Sequence, residues 1–369
     1  MYWEPLLQDT VFLLLYGGTT MLEVVAALYL LFRRSNAFVP EVTPPVRVRR
    51  WAAVFLLAGA TSHVSWFLGV SYPTAGDPMA GYVVCSCLDV LLLLPTMMGT
   101  LLAMLQDRQR PVWPFAAALL PVLVVPVICI VLKDSAFLTP ASVYVLLVLA
   151  VFIVYLVLAV GRYGRWLRDN FADLEHKEIR YSVLVLTFFM LFLFFYAVAQ
   201  SRVTEYLLQL NDIVLACLLL WRVETLQQFS VDDPQEAEAI HTDPAAAPPA
   251  AQVTLPAGIG PTLEKQCEEG GLYLQHDLTL SQLAQAIGTN RYYLSQYFAR
   301  QGLTYNAYIN GLRVRHFIRL YHGAVADQRI FTAQQLAFES GFHSYSTFSA
   351  AFKQNTGKTV TAWMREMAE

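Results

Sequence analysis

Residues 336–357 read LAFESGFHSYSTFSAAFKQNTG, and residues 283–302 read LAQAIGTNRYYLSQYFARQG. Each stretch begins with a Leu-Ala pair and reaches a glycine five residues after its leucine. Apolar residues then follow at a spacing of four, which is the period of one helix face. Each stretch therefore predicts a short helix, a glycine turn and a second helix.

Local signals mark the ends of these helices. Thr279 with Gln282, and Thr332 with Gln335, form capping-box patterns at the start of each first helix. A glycine after the first helix suits a left-handed backbone, and a short polar residue suits the N-cap of the second helix. The residues predicted for these roles are the glycines Gly288 and Gly341 and the caps Asn290 and Ser344.

A longer helix, from about Thr304 to Tyr321, is predicted between the two copies because apolar and basic residues alternate there at helical spacing. A connector of about 16 residues spans roughly 24 Å. It would place the second helices of the two copies about one turn of duplex apart on the same face of DNA. The sequence thus predicts a double helix-turn-helix domain.

The residues of both copies resemble a known family. In the first copy they are Leu283-Ala284, Gly288, Leu294, Phe298, Tyr308-Ile309-Asn310 and Arg313; in the second they are Gly341-Phe342, Ser344, Phe348, Phe352-Lys353, Gly357 and Thr359. This pattern is similar to the AraC-type DNA-binding domain and covers about the last 110 residues. Departures from the family are Gln296 and Ala350 in place of arginine, Val360 in place of proline, and Trp363 in place of tyrosine.

The resemblance makes double-stranded DNA the expected partner, with base readers on the second helix of each copy. The candidate readers are Arg291, Tyr292, Ser295, Gln296, His343, Tyr345, Ser346, Thr347 and Ser349. Candidate phosphate contacts are Arg300, Arg313, Lys353 and Lys358, with bracing of the fold as the alternative role for Arg313. Because basic residues barely outnumber acidic ones over residues 262–369, one copy should bind DNA weakly, which predicts a homodimer.

The first 222 residues have a different composition. Apolar residues make up 56% of the whole chain and crowd into this part, in seven segments near 11–32, 51–70, 81–104, 114–132, 143–160, 182–200 and 206–222. Each segment is close to the ~20 residues that a membrane-spanning helix needs. The predicted fold is all-α: a seven-helix transmembrane bundle over residues 1–222, then a linker over 223–261, then the double helix-turn-helix domain over 262–369.

The loops between these segments predict an orientation. Alternate loops hold twelve basic residues, whereas the others hold only Lys133 and Arg202. By the positive-inside rule the N-terminus lies outside and, after seven spans, the C-terminal domain lies in the cytoplasm. The prediction is a multi-pass protein of the bacterial inner membrane. The first ten residues lack the basic region of a cleaved signal peptide.

Two other segments have a distinct character. Residues 161–181 are amphipathic, with Leu167, Phe171 and Leu174 at helical spacing, which predicts either a membrane-surface helix or a docking surface for the DNA-binding domain. The last span is expected to continue as a helix through Val223, Leu226 and Phe229. Residues 231–261 are rich in Pro, Ala and acidic residues and read as a disordered tether, either a spacer or a cleavage site.

Polar residues within the predicted spans mark a candidate sensor pocket. They are Glu23, His63, Asp89, Gln200 and Asp212. Ionisable groups at membrane depth face a cavity or a partner because burial of an isolated charge is costly. Two interpretations stay open: a site for a small-molecule effector or a proton, and hydrogen bonding that joins the helices.

No catalytic or metal-binding spacing occurs in the chain, so we predict neither an enzyme nor a cofactor. The main hypothesis is a membrane-embedded one-component transcription regulator, in which the signal acts through dimerisation or release of the DNA-binding domains. The alternative is a membrane transporter or scaffold with a protein-binding helix-turn-helix tail. DNA selection would distinguish the two, as would flux measured in liposomes.

Overall fold

The computed structural model describes residues 6–33, 36, 43–71, 78–132, 136–174, 177–193, 201–228 and 258–368. Over these residues the fold is all-α, as predicted, and the described ranges contain no strand beyond one isolated β-bridge. The chain divides into two compact units. One comprises Met1–Gly161 with Ile179–Ser230, and the other comprises Arg162–Glu178 with Val231–Glu369.

The helices of the first unit follow the predicted apolar segments. They are α1 (Thr10–Phe32), α2 (Val46–Ser71), α3 (Pro78–Ala103), α4 (Trp113–Leu119), α5 (Val124–Leu132), α6 (Leu138–Asn170, whose last residues belong to the second unit), α7 (Arg180–Phe192) and α8 (Arg202–Thr225). A 3-10 turn at Leu120–Leu123 separates α4 from α5. This turn contains Pro121, which interrupts the α-helix because proline cannot donate the helical hydrogen bond.

Six helices are long and apolar enough to cross a membrane: α1, α2, α3, the stretch Trp113–Leu132, α6 and α8. They correspond to six of the seven predicted segments. The remaining segment, 182–200, appears as α7, which is apolar but only 13 residues long. Its predicted second half, 194–200, lies outside the described residues.

The first unit exposes apolar side chains and buries acidic ones. Leu14 is 72% exposed and Val131 is 73% exposed, whereas Glu23 is 6% exposed and Asp89 is 2% exposed. Soluble proteins seldom show extended apolar surface of this kind. The distribution is the one expected of helices that face lipid, where only closed hydrogen-bonded elements are stable.

The last helix of this unit ends earlier than predicted. It stops at Thr225, with Leu226 already extended, and Phe229 lies outside the described residues. Two hydrogen bonds to residues distant in sequence replace helical ones at this end. Asn36 Nδ2 donates to the Glu224 carbonyl at 2.6 Å, and Gln228 N donates to the Thr43 carbonyl at 2.8 Å. The predicted tether at 231–261 lies outside the described residues as far as 257.

The second unit contains seven α-helices among its described residues. They are α9 (Ile259–Leu263), α10 (Leu280–Ala286), α11 (Arg291–Arg300), α12 (Tyr305–Ala326), α13 (Ala333–Glu339), α14 (Tyr345–Thr356) and α15 (Val360–Ala368). Both capping boxes and both predicted N-caps are present. Both predicted left-handed glycines are present too, with φ of 72° at Gly288 and 92° at Gly341.

Two apolar cores fill this unit, one for each copy of the repeat. Leu294 and Phe298 lie in the first core, and Phe348 and Phe352 lie in the second, as their spacing predicts. The connecting helix α12 contributes to both, with Ile309 in the first core and Phe317 in the second. This helix runs five residues beyond its predicted end, which makes it a continuous support for both helix-turn-helix units.

Gly341 and Gly288 occupy equivalent turns, yet their surroundings differ. A Cβ on Gly341 would lie 2.9 Å from backbone atoms of Leu274, whereas a Cβ on Gly288 would have no atom within 4 Å. We expect Gly288→Ala to cost about 1 kcal/mol through the left-handed backbone alone. Gly341→Ala should cost more, because the Leu274 backbone must also move. Hydrogen exchange in the full chain would measure the loss of protection in the helices beside each glycine, α10 and α11 for Gly288→Ala and α13 and α14 for Gly341→Ala; equal losses in the two variants would contradict the prediction.

Candidate nucleic-acid interface and buried polar pocket

The candidate base readers lie on α11, on α14 or in the turn before α14. His343, Tyr345 and Ser346 are exposed, and the half-buried readers are Arg291, Tyr292, Ser295, Gln296, Thr347 and Ser349. The N-caps Asn290 and Ser344 hold the first turn of each helix, since each side chain accepts a hydrogen bond from a backbone N–H three residues later. The arrangement thus presents two recognition helices, α11 and α14, each with polar residues beyond its cap.

Among the candidate phosphate contacts, Arg300 and Lys353 are exposed. Lys358 is also exposed and forms an ion pair with Glu366. An exposed ion pair of this kind contributes little stability, so it does not prevent Lys358 from contacting a phosphate. These three cations remain candidates for holding the DNA backbone.

Arg313, the fourth candidate phosphate contact, lies in the interior of the domain and not on its surface. Its side chain is fully buried, and its guanidinium donates to the carbonyls of Tyr273 at 2.8 Å, Gln275 at 2.6 Å and His276 at 3.2 Å. The guanidinium also lies over the Phe342 ring at 5.7 Å. Burial lowers the pKa of Arg313, but an arginine stays charged at neutral pH. A buried group with these partners cannot reach a phosphate, so the bracing role is the one that the structure supports.

Residues 162–178, which comprise the last turns of α6 and most of the connection to α7, belong to the same compact unit as the helix-turn-helix domain. Ala172 lies in the first apolar core, and Asn310 Nδ2 donates to its carbonyl at 3.0 Å. An antiparallel bridge joins Phe171 to Thr279, the N-cap of α10. Of the two predicted roles for this segment, the contacts favour docking to the DNA-binding domain.

The same segment bonds both recognition helices. Arg291 Nε donates to Asn170 Oδ1 at 2.7 Å, and Thr347 Oγ1 donates to Asp173 Oδ1 at 3.1 Å. Arg291 and Thr347 are candidate readers, one on each recognition helix. Two more readers, Tyr292 and Gln296, each bury a side-chain oxygen that has no hydrogen-bond partner in the structure.

In the first unit, α1, α2, α3 and α8 enclose a polar pocket of about 80 Å³. Four of the five candidate sensor residues line it: Glu23, His63, Asp89 and Asp212. The fifth, Gln200, lies outside the described residues. The described His, Cys, Asp and Glu side chains include no group arranged to hold a metal ion.

The geometry of the pocket centres on His63. Its Nδ1 lies 3.0 Å from Glu23 Oε2, and its Nε2 lies 3.4 Å from Asp212 Oδ2. Both ring nitrogens face carboxylates, which suits an imidazolium because only that form donates from both nitrogens. Asp89 accepts from Ser62 Oγ and, at 2.6 Å, from Trp66 Nε1.

Among the lining residues that sequence reasoning did not select, three bear on the geometry of this pocket. Glu205 and Gln209 also line it, both buried, and Gly59 lies beside Glu23. A Cβ on Gly59 would lie 2.5 Å from Glu23 Oε1, so glycine is what lets the carboxylate approach α2. Glu205 and Gln209 lie four residues apart, with Asp212 three further on, and that helical spacing was the available signal.

Comparison with known protein families supports the C-terminal assignment. A family model described as a helix-turn-helix domain, of the AraC type, matches residues 283–366. Comparison with curated proteins and with solved structures found no match. Residues 283–366 therefore form an AraC-type helix-turn-helix domain, the kind that DNA-binding regulators carry.

Proposed function

We propose that this chain is a membrane-embedded one-component transcription regulator. The observation that carries the proposal is the joining of an AraC-type helix-turn-helix domain to six helices that are long and apolar enough to span a membrane. The first unit acts as the sensor and the C-terminal domain binds a specific DNA sequence. The protein resides in the bacterial inner membrane, with its N-terminus outside and its DNA-binding domain in the cytoplasm.

The packing of the second unit supports seven spans rather than six. Residues 162–178 pack with the C-terminal domain, so the two must lie on the same side of the membrane. The chain between them must then cross the membrane an even number of times. Helix α8 is long and apolar enough to supply one crossing, and we propose that the predicted segment 182–200, of which the structure describes the apolar helix α7, supplies the other. The distribution of basic residues among the loops supports the cytoplasm as this common side.

The polar pocket supports a sensing role for the first unit. Hydrogen bonds between His63, Glu23 and Asp212 would serve equally to join the helices. Helix joining does not require a cavity of about 80 Å³ or a buried Gln209 oxygen without a hydrogen-bond partner. These two features favour an effector site, and the effector acts by changing dimerisation or release of the DNA-binding domains.

Homodimeric binding follows from the charge of the domain. Since phosphate neutralisation supplies most of the non-specific affinity for DNA, a domain with few excess cations binds weakly alone. Two domains tethered to one dimeric sensor gain affinity through their effective concentration. Operator sites with two-fold symmetry, read by two copies of the chain, are the expected result.

Selection of DNA from a random pool tests the function directly. The full chain in lipid nanodiscs, at two salt concentrations, should enrich a motif with contacts in two successive major grooves, about 10 base pairs apart. The DNA pool with empty nanodiscs is the control. Salt-sensitive binding without an enriched motif would contradict the proposal. It would favour a protein-binding tail, and flux in liposomes would then test the transporter alternative.

The exposed Lys353 on α14 provides a test of phosphate contact. Lys353→Ala should weaken binding to all duplexes by a similar factor and reduce the slope of log affinity against log salt concentration by about 0.9. Lys265→Ala removes the same charge from an exposed lysine outside both recognition helices and is the matched control. If the two variants show the same slope of log affinity against log salt concentration, Lys353 does not contact a DNA phosphate.

A further inference from the structure

Residues 162–178 keep a defined conformation through contacts within the segment. Tyr163 Oη donates to the Lys177 carbonyl at 3.1 Å, which links the last turns of α6 to the chain before α7. Lys177 Nζ in turn donates to the Asp173 carbonyl at 3.3 Å and lies over the Phe171 ring at 5.2 Å. Together these contacts fix the conformation of the residues between them, the 170–174 loop.

The 170–174 loop contacts both recognition helices through acceptor oxygens. Asn170 Oδ1 accepts from Arg291 Nε of α11 at 2.7 Å, and Asp173 Oδ1 accepts from Thr347 Oγ1 of α14 at 3.1 Å. Asn170 is 7% exposed and Asp173 is 6% exposed, so both acceptors are buried in the unit. Phosphates and base edges of DNA offer acceptors of the same kind to arginine and threonine. The loop therefore presents to these two candidate readers the chemistry that DNA would present.

The helix that connects the two helix-turn-helix units also holds the 170–174 loop. Asn306 Nδ2, in the first turn of α12, donates to the carbonyls of Phe171 at 3.2 Å and Ala172 at 2.6 Å. One turn further along, Asn310 Nδ2 donates to the Ala172 carbonyl at 3.0 Å. Ala172 is 1% exposed and packs in the first apolar core. The loop thus contacts α11 and α14, which carry the candidate readers, and α12, which supports both.

DNA and the docked loop compete for the same two donor groups. A phosphate or base that bonded to Arg291 Nε or Thr347 Oγ1 would have to take the place of an oxygen of Asn170 or Asp173. The Asp173 carboxylate would in addition repel the phosphates of the duplex, because like charges at short range are unfavourable. The docked loop and bound DNA therefore exclude each other at these readers.

We propose that the 170–174 loop is an autoinhibitory element that occupies the recognition helices and is displaced by DNA. The inference rests on the proposed function, because it takes α11 and α14 to be the helices that read DNA. The observed affinity for DNA is then the affinity of the open domain multiplied by the fraction of chains whose loop is released. By linkage, bound DNA shifts the loop toward its released state.

A loop that only stabilised the domain would have the opposite effect on DNA binding. Loosening a structural contact weakens binding, whereas loosening a competitor tightens it. The sign of the change in affinity therefore separates the two roles. A random-sequence duplex at low salt is the probe, since it binds through its phosphates whatever the operator sequence is.

Loosening the loop is the first test, with the full chain in lipid nanodiscs. Asn170→Ala with Asp173→Ala removes both acceptor side chains and should tighten binding of the duplex roughly tenfold, since their two hydrogen bonds favour the docked state. Asp327→Ala removes one carboxylate from an exposed site in the same unit and measures the effect of charge alone. Affinity of the double variant no higher than that of Asp327→Ala would contradict the proposal.

Locking the loop in its docked position is the second test, and it keeps both acceptor side chains. Phe171 and Thr279 face each other across an antiparallel bridge. Paired residues of such a bridge have Cα atoms about 4.5–5.5 Å apart, within the range of about 4.4–6.8 Å that a disulfide spans. Phe171→Cys with Thr279→Cys should form a disulfide, lose duplex affinity at least roughly tenfold when oxidised, and regain it when reduced. Each single cysteine variant, oxidised in the same way, controls for the exposed native Cys217.

The cysteine pair gives an answer even where the alanine pair weakens the domain, because its oxidised and reduced forms are compared within one protein. Equal duplex binding by the two forms would overturn the inference and leave the regulator proposal standing. Failure of the disulfide to form would overturn it too, since the loop would then not dock on the domain. If no form of the chain binds the duplex, the proposed function is contradicted, and this inference with it.

Discussion

The helix-turn-helix domain depends on the burial of one guanidinium, that of Arg313. From the middle of α12, this group bonds three carbonyls of the segment before α10 and lies over Phe342 in the turn before α14. Breaking a buried charge from its partners is strongly destabilising. Arg313 therefore ties the first helix-turn-helix to the second, and the close approach of Gly341 to Leu274 completes the junction. Together with the continuous helix α12, this contact helps to hold α11 and α14 in their relative positions.

Buried polar groups are left partly unsatisfied in both units. In the helix-turn-helix domain three carbonyls accept hydrogen bonds from the Arg313 guanidinium, but one of its terminal nitrogens and the Tyr292 and Gln296 oxygens have no hydrogen-bond partner among the described residues. In the pocket lined by Glu23, His63 and Asp212, one Gln209 oxygen likewise has no partner. A buried polar atom of this kind is stabilised by a guest that completes its hydrogen bonding.

Residues 162–178 belong to the same unit as the helix-turn-helix domain. Their sequence alone fits either a membrane-surface helix or a docking element. An amphipathic pattern predicts that one face is buried, but it does not predict whether lipid or protein buries that face. Asn170 and Asp173 accept hydrogen bonds from the recognition helices, which identifies the helix-turn-helix domain as the partner of this segment. A segment that leads into α7 thereby contacts Arg291 and Thr347, two of the candidate base readers.

The sequence by itself determined the parts that depend on local chemistry. Capping boxes at Thr279 and Thr332, the left-handed Gly288 and Gly341, and the core positions of Leu294 and Phe348 all follow from residue type and spacing. Only the tertiary structure decided the parts that depend on neighbours distant in the chain. These include the bracing role of Arg313, the inclusion of Gln209 and Glu205 in the pocket, and the early end of α8. In each case the deciding partner lies far away in sequence, where periodicity carries no information about contact.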